Sequence, residues 1–145
     1  MSTFKSMAIS SSALSAQRLR MNVLSTNLAN AQTTRTEEGG AYRRRDVIFT
    51  AKPTGDQFGD YLDGTYNAKL AKVQVTGIHQ DQSALRRVLD PSHPDADLDG
   101  YVEMPNVQVM SEMVNMISAT RAYEANATAL NETKQMAMKA LEIGR

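Results

Sequence analysis

A chain of 145 residues whose 16 basic and 16 acidic residues cancel has room for one ordinary domain, with no bulk charge to draw it to nucleic acid or an anionic membrane. The absence of cysteine excludes a disulfide framework, Cys-ligated zinc and thiol catalysis. No stretch approaches the roughly 20 apolar residues of a membrane-spanning helix, and residues 1–10 lack the apolar segment of a cleaved leader, so none is expected.

All four prolines and seven of the eight glycines lie between Gly39 and Pro105. The chain therefore reads as helix, irregular or β middle, then helix. Residues 3–31 form the first expected helix. Met7, Leu14, Met21 and Leu28 hold a seven-residue spacing, with Leu24 and Ala31 on the same face, while Ile9, Ala13, Ala16 and Val23 make a weaker second strip. Asn27, Asn30, Thr33 and Thr34 mark its end. Its three charges, Lys5, Arg18 and Arg20, read as a solvated face.

In the middle, residues 42–50 read as a strand with Val47 and Phe49 on one face. Residues 52–66, with three glycines and Pro53, read as an exposed loop. Residues 71–78 alternate as a half-buried strand should. Residues 83–89 suggest a short strand or a turn with Arg86 and Arg87 exposed, residues 90–100 are turn chemistry, and Tyr101-Val102 closes a last short strand. This segment holds too few large apolar side chains for much of a core, which makes it a small β appendage rather than an enzyme domain. Arg43-Arg44-Arg45 reads as edge charge that blocks strand pairing, or as half of an intersubunit salt bridge.

Residues 106–143 contain neither Gly nor Pro. Pro105 resists a helix from upstream, Asn106 suits the N-cap, and Gly144 stands at the expected stop. Helical throughout, this rod would be roughly 57 Å long. Val109, Met116, Tyr123, Leu130 and Ala137 alternate with Met113, Thr120, Ala127, Lys134 and Leu141 as the two rows of a coiled-coil seam. A second strip of Ala122, Ala129, Met136 and Ile143 asks for a neighbour on another side. The expected fold is mainly α with a small β insertion. Residues 1–34 and 105–145 pair as an antiparallel coiled coil, and residues 35–104 form a small β-rich outer segment with a flexible loop near 52–66.

Asp95, Asp97, Asp99 and Gly100 match the first six positions of an EF-hand calcium loop, D-x-D-x-D-G. The twelfth position, which should supply a bidentate Glu, is Asn106, and Pro94 and Pro105 break the flanking helices. A structural turn is the preferred reading and a calcium-binding module the alternative. His79 and His93 have no third fixed ligand, and His93 reads as a turn residue bonded to local backbone. No Ser-His-Asp order, nucleotide loop or nucleophile elbow occurs. The residues thus point to no enzyme and to no catalytic, cofactor or metal site; a soluble coiled-coil adaptor is the remaining alternative.

Residues 12–33, with Asn27-Leu28-Ala29-Asn30 at their core and Thr33 closing them, resemble the N-terminal signature of the bacterial flagellar rod and hook protein family. Residues 113–144, through Thr120-Arg121-Ala122-Tyr123-Glu124-Ala125-Asn126, resemble that family's C-terminal signature. Asp90-Pro91-Ser92-His93-Pro94 and Gly100-Tyr101-Val102-Glu103-Met104-Pro105-Asn106-Val107 narrow the resemblance to its short proximal-rod members. The resemblance implies a non-enzymatic subunit of the flagellar drive shaft, placed in the periplasmic rod of the basal body and exported by the flagellar type III apparatus without a cleaved signal. Implied partners are its own copies, other proximal and distal rod proteins, and the adaptor at the export gate and MS ring. Neither nucleic acid nor a small-molecule substrate is implied. Assembly contacts are expected at Leu14, Met21, Leu24, Leu28, Met113, Met116, Tyr123, Leu130 and Leu141. Asn27, Asn30 and Thr33 are expected to shape the turn out of the first helix.

Overall fold

The computed structural model describes residues 3–53 and 70–143. Helix α1 (Thr3–Ala29) leads to strands β1 (Arg45–Pro53), β2 (Ala71–Gln80), β3 (Arg86–Leu89) and β4 (Tyr101–Met104), and helix α2 (Val109–Ile143) closes the chain. The expected architecture of two long terminal helices around a small β middle is the one observed. Gly144 and most of the loop expected over 52–66 lie outside the described residues; Lys52 and Pro53 belong to β1.

The two helices lie side by side and run in opposite directions. Asn27, near the end of α1, meets Glu112 at the start of α2, and Met21 meets Thr120 two turns further along α2. Within α1 both strips reach the interior, with Ala16 and Val23 of the weaker strip and Leu24 of the main one under 9 % exposed. The reason is that α1 is covered on two sides, by α2 and by the β1–β2 hairpin. The Ser12 hydroxyl accepts the Val73 backbone N–H at 3.2 Å, so a serine of poor helix propensity serves as an anchor for β2. Arg20 lies 6.0 Å over the Phe49 ring, within cation–π range.

β1 and β2 pair antiparallel from Arg45–Gln80 to Pro53–Ala71, with a register shift between Ile48 and Phe49. The strand expected to begin at Tyr42 begins at Arg45, because Tyr42 is drawn into the interior instead. Val47 is buried while Phe49 is 36 % exposed; the bulge between them breaks the strict alternation that would have put both on one face equally. β3 and β4 form a second, separate antiparallel pair. The connecting turn is held by Asp90 N–H to Gly100 O (2.9 Å) and Asp97 N–H to Tyr101 O (2.8 Å).

Gly100 has φ +76°, and a Cβ there would meet Pro91 Cγ at 3.1 Å. Both the left-handed backbone and the close approach disfavour a side chain. Gly100→Ala is expected to lower stability by roughly 1–2 kcal/mol, read as a reduced urea midpoint with unchanged slope; no change would mean the turn relaxes freely.

α2 begins two residues later than expected. Gln108, not Asn106, starts it: its carbonyl accepts the Glu112 N–H at 3.0 Å and its side-chain oxygen the Ser111 hydroxyl at 3.0 Å. Asn106 is taken by other partners. Its side-chain oxygen accepts the Arg44 backbone N–H (2.8 Å), and its amide donates to Asp81 O (3.3 Å) and Ser83 Oγ (3.0 Å). It thereby ties the lead-in to β1, the turn after β2 and the entry to α2 together.

Candidate functional site

The α1–α2 pair frames the candidate site. Along α2 the side turned to α1 carries Glu112, Met116, Ala119, Tyr123, Asn126, Leu130, Thr133 and Ala137, all buried or half-buried. These alternate in steps of four and three, the spacing of a coiled-coil seam. The row through Met116 is the expected one from its second member onward. The other row sits one residue earlier than expected: Glu112, Ala119 and Thr133 are buried and Asn126 half-buried, while Met113, Thr120 and Lys134 are exposed and Ala127 is half-buried at the margin, Thr120 still reaching Met21. Small and polar residues thus occupy the middle of the contact, with Ala119 only 1 % exposed, and the apolar strips lie to either side of it.

Of the residues expected to carry assembly, Leu24 is enclosed within the chain at 2 % exposure. Leu14, Met21, Leu28, Met116, Tyr123 and Leu130 are half-buried along the helix pair. Met113 and Leu141 are exposed, at 46 % and 76 %. Facing away from α1, the first turns of α2 present Met110, Val114 and Ile117 beside Met113, all at least 46 % exposed. That outward patch was not anticipated, because the sequence pattern draws attention to the face with the longest repeat.

Where the hairpin and both helices meet lies a polar cluster centred on Asn27, which is fully buried. Its amide donates to Arg45 O (2.8 Å) and to Glu112 Oε2 (2.9 Å). Its Oδ1 accepts the Tyr42 hydroxyl (2.9 Å) and the Arg45 N–H (3.0 Å). All four hydrogen-bonding positions of the amide are filled. Glu112, 1 % exposed, receives Arg44 Nε on its other oxygen at 2.7 Å, and the same guanidinium reaches Asp46 at 3.2 Å. The Arg44–Glu112 hydrogen bond raises the Arg44 pKa, so the guanidinium stays charged. Burial raises the Tyr42 pKa, keeping its hydroxyl a donor.

Arg44 is therefore an internal partner, which corrects the expectation of an edge or intersubunit charge for the middle of the Arg43–Arg45 run. Asn30 and Thr33 turn the chain out of α1, through Asn30 Nδ2 to Thr26 O (2.9 Å) and Thr33 Oγ1 to Asn30 Oδ1 (3.1 Å). Asn27 reaches further, to β1 and α2, and Ala29 is exposed. Sequence reasoning missed Glu112, Arg44 and Tyr42. The available clue was Glu112 itself, a charge seven residues before Ala119 on a row left unassigned between two apolar strips.

The acidic turn is engaged by protein groups. Asp95 accepts the Thr34 hydroxyl at 2.8 Å and lies 3.9 Å from Arg35, and Asp97 lies 3.6 Å from Arg87. His93 Nδ1 accepts the Asp95 N–H at 3.1 Å. Among the described residues no three of His, Cys, Asp and Glu gather to hold a metal ion.

Residues 7–35 match the family described as flagella basal body rod protein, and residues 98–143 match that described as flagellar basal body rod FlgEFG protein C-terminal. The chain is 47 % identical to the flagellar basal-body rod protein FlgC of Bacillus subtilis, over 100 % of both chains. It is 46 % identical to FlgC of Borreliella burgdorferi, over 99 % of this chain and 98 % of that one. Against FlgC of Salmonella typhimurium the identity is 39 %, over 94 % of each.

Proposed function

The chain belongs to the flagellar basal-body rod proteins of the FlgC type, and from that membership we propose that it is a structural subunit of the proximal rod, stacking with its own copies and with other rod proteins to carry torque across the periplasm. The observation that carries this reading is the outward patch of Met110, Met113, Val114 and Ile117. Four large apolar side chains on one stretch of α2 are exposed to solvent in the single chain, and such a patch calls for cover by another protein. A head-to-tail contact that does not close on itself extends into a helical filament, the form a hollow shaft requires.

In this reading the two helices form one layer with the β segment bracing outward, and Leu14, Met21, Leu28, Met116, Tyr123, Leu130 and Leu141 add contacts between subunits. The finer placement follows the same family logic: export by the flagellar type III apparatus without a cleaved signal, a position in the periplasmic part of the rod, and the adaptor at the export gate as a neighbour. The subunit contributes packing surfaces rather than catalysis.

Ile117→Asp tests the proposal, since Ile117 is 56 % exposed and a charge there leaves the α1–α2 contact alone. In a strain lacking the native chain, the variant is expected to accumulate to normal levels yet restore no swimming. Wild-type swimming would count decisively against assembly through this face.

A further inference from the structure

We propose that the Asn27–Arg44–Glu112 cluster sets the rotation of α2 about its own axis. It would place the small and polar row against α1 and thereby turn the Met110–Ile117 patch outward. The assembly consequence rests on the function proposed above; the rotation itself does not.

Hydrophobic packing alone leaves that rotation undecided. The Met116, Tyr123, Leu130 and Ala137 row can be completed by Glu112, Ala119, Asn126 and Thr133, as observed, or by Met113, Thr120, Ala127 and Lys134. The two seams differ by about 50° of rotation, half of the roughly 100° that separates successive residues. Burial of apolar area gives the observed choice no advantage, since its row holds a single apolar member, Ala119. What distinguishes the two is Glu112.

A buried carboxylate is costly by several kcal/mol unless closely paired and hydrogen-bonded. Its partners are Arg44 at 2.7 Å and Asn27 at 2.9 Å, and both are held by other elements. Arg44 is fixed by Asn106 and Asp46, and Asn27 by Tyr42 and by both backbone groups of Arg45. A 50° turn of α2 would carry the carboxylate about 5 Å, at the side-chain radius of a helix, and break both contacts. Buried polar groups are known to select register among otherwise similar packings. Here the selected state is the one that keeps Met113 out of the seam.

The absence of native cysteine makes thiol labelling of the full-length chain a clean readout. Ala119→Cys reports the middle of the seam and Ile117→Cys the outward patch. In the parent chain, alkylation at position 119 is expected to be at least about tenfold slower than at 117. The double substitution Arg44→Met/Glu112→Met replaces the ion pair with side chains of similar length, a change usually neutral or stabilising. With helix content retained by circular dichroism, that background is expected to bring the two rates within about threefold. An unchanged ratio would overturn the proposal. So would loss of helix content with both thiols labelled quickly, because the cluster would then be a source of stability and not of orientation. Swimming by Ile117→Asp would sink the assembly reading while leaving this labelling result intact.

Discussion

Arg44→Ala is expected to destabilise the fold by about 3–5 kcal/mol, the usual consequence of removing one partner from a buried ion pair. Glu112, 1 % exposed in the intact fold, would keep only the Asn27 amide as a partner. Urea denaturation of the full-length chain, followed by circular dichroism, checks this. A loss below about 1 kcal/mol would mean that water reaches the carboxylate and the pair behaves as a surface one. Arg44→Lys separates charge from geometry: a lysine keeps the positive charge, but it cannot reproduce the planar fork that meets Glu112 through Nε and Asp46 through Nη2. It is expected to recover only part of the loss.

Asn27→Asp is expected to cost about 3–5 kcal/mol at neutral pH although it changes no volume. The replaced amide donates to Arg45 O and to Glu112 Oε2 at 2.8 and 2.9 Å; an oxygen there faces two acceptors, one of them charged. Two carboxyls sharing one site push one pKa upward in the folded state. A folded pKa above its unfolded value favours the fold below the unfolded carboxyl pKa of roughly 4 and disfavours it as pH rises through the raised value. The variant should therefore lie nearest the parent in mild acid and furthest from it at neutral pH. Urea midpoints measured across that range decide; a deficit independent of pH would point to lost donors alone.

Together these substitutions show why the cluster escaped a reading of the sequence. Asn27 was visible as part of a motif, but as a turn residue, because nothing local reveals that its amide meets Glu112 85 positions away. Asn106 follows Pro105 and carries a favoured N-cap side chain, so the local rule places it at the helix start. In the fold its oxygen accepts the Arg44 backbone N–H instead, and the cap moves to Gln108. Arg44 reads as an exposed charge because a run of three arginines does not say which member turns inward. Each of these errors has one source: a polar side chain has several locally reasonable partners, and the tertiary fold chooses among them.

The long helices, their common seven-residue spacing, the β character of the middle and the turn chemistry of residues 90–100 were all determined by the sequence itself. Those features follow from apolar periodicity and from where Gly and Pro fall, both short-range properties of the chain. Only the tertiary structure decided which side of α2 meets α1. Two apolar strips bracket a polar row, and periodicity ranks faces by apolar content, so it favours Met113 over Glu112. The fold reverses that order because a buried carboxylate must stay with its guanidinium and its amide donor, and these reach it from the residue before β1 and from α1.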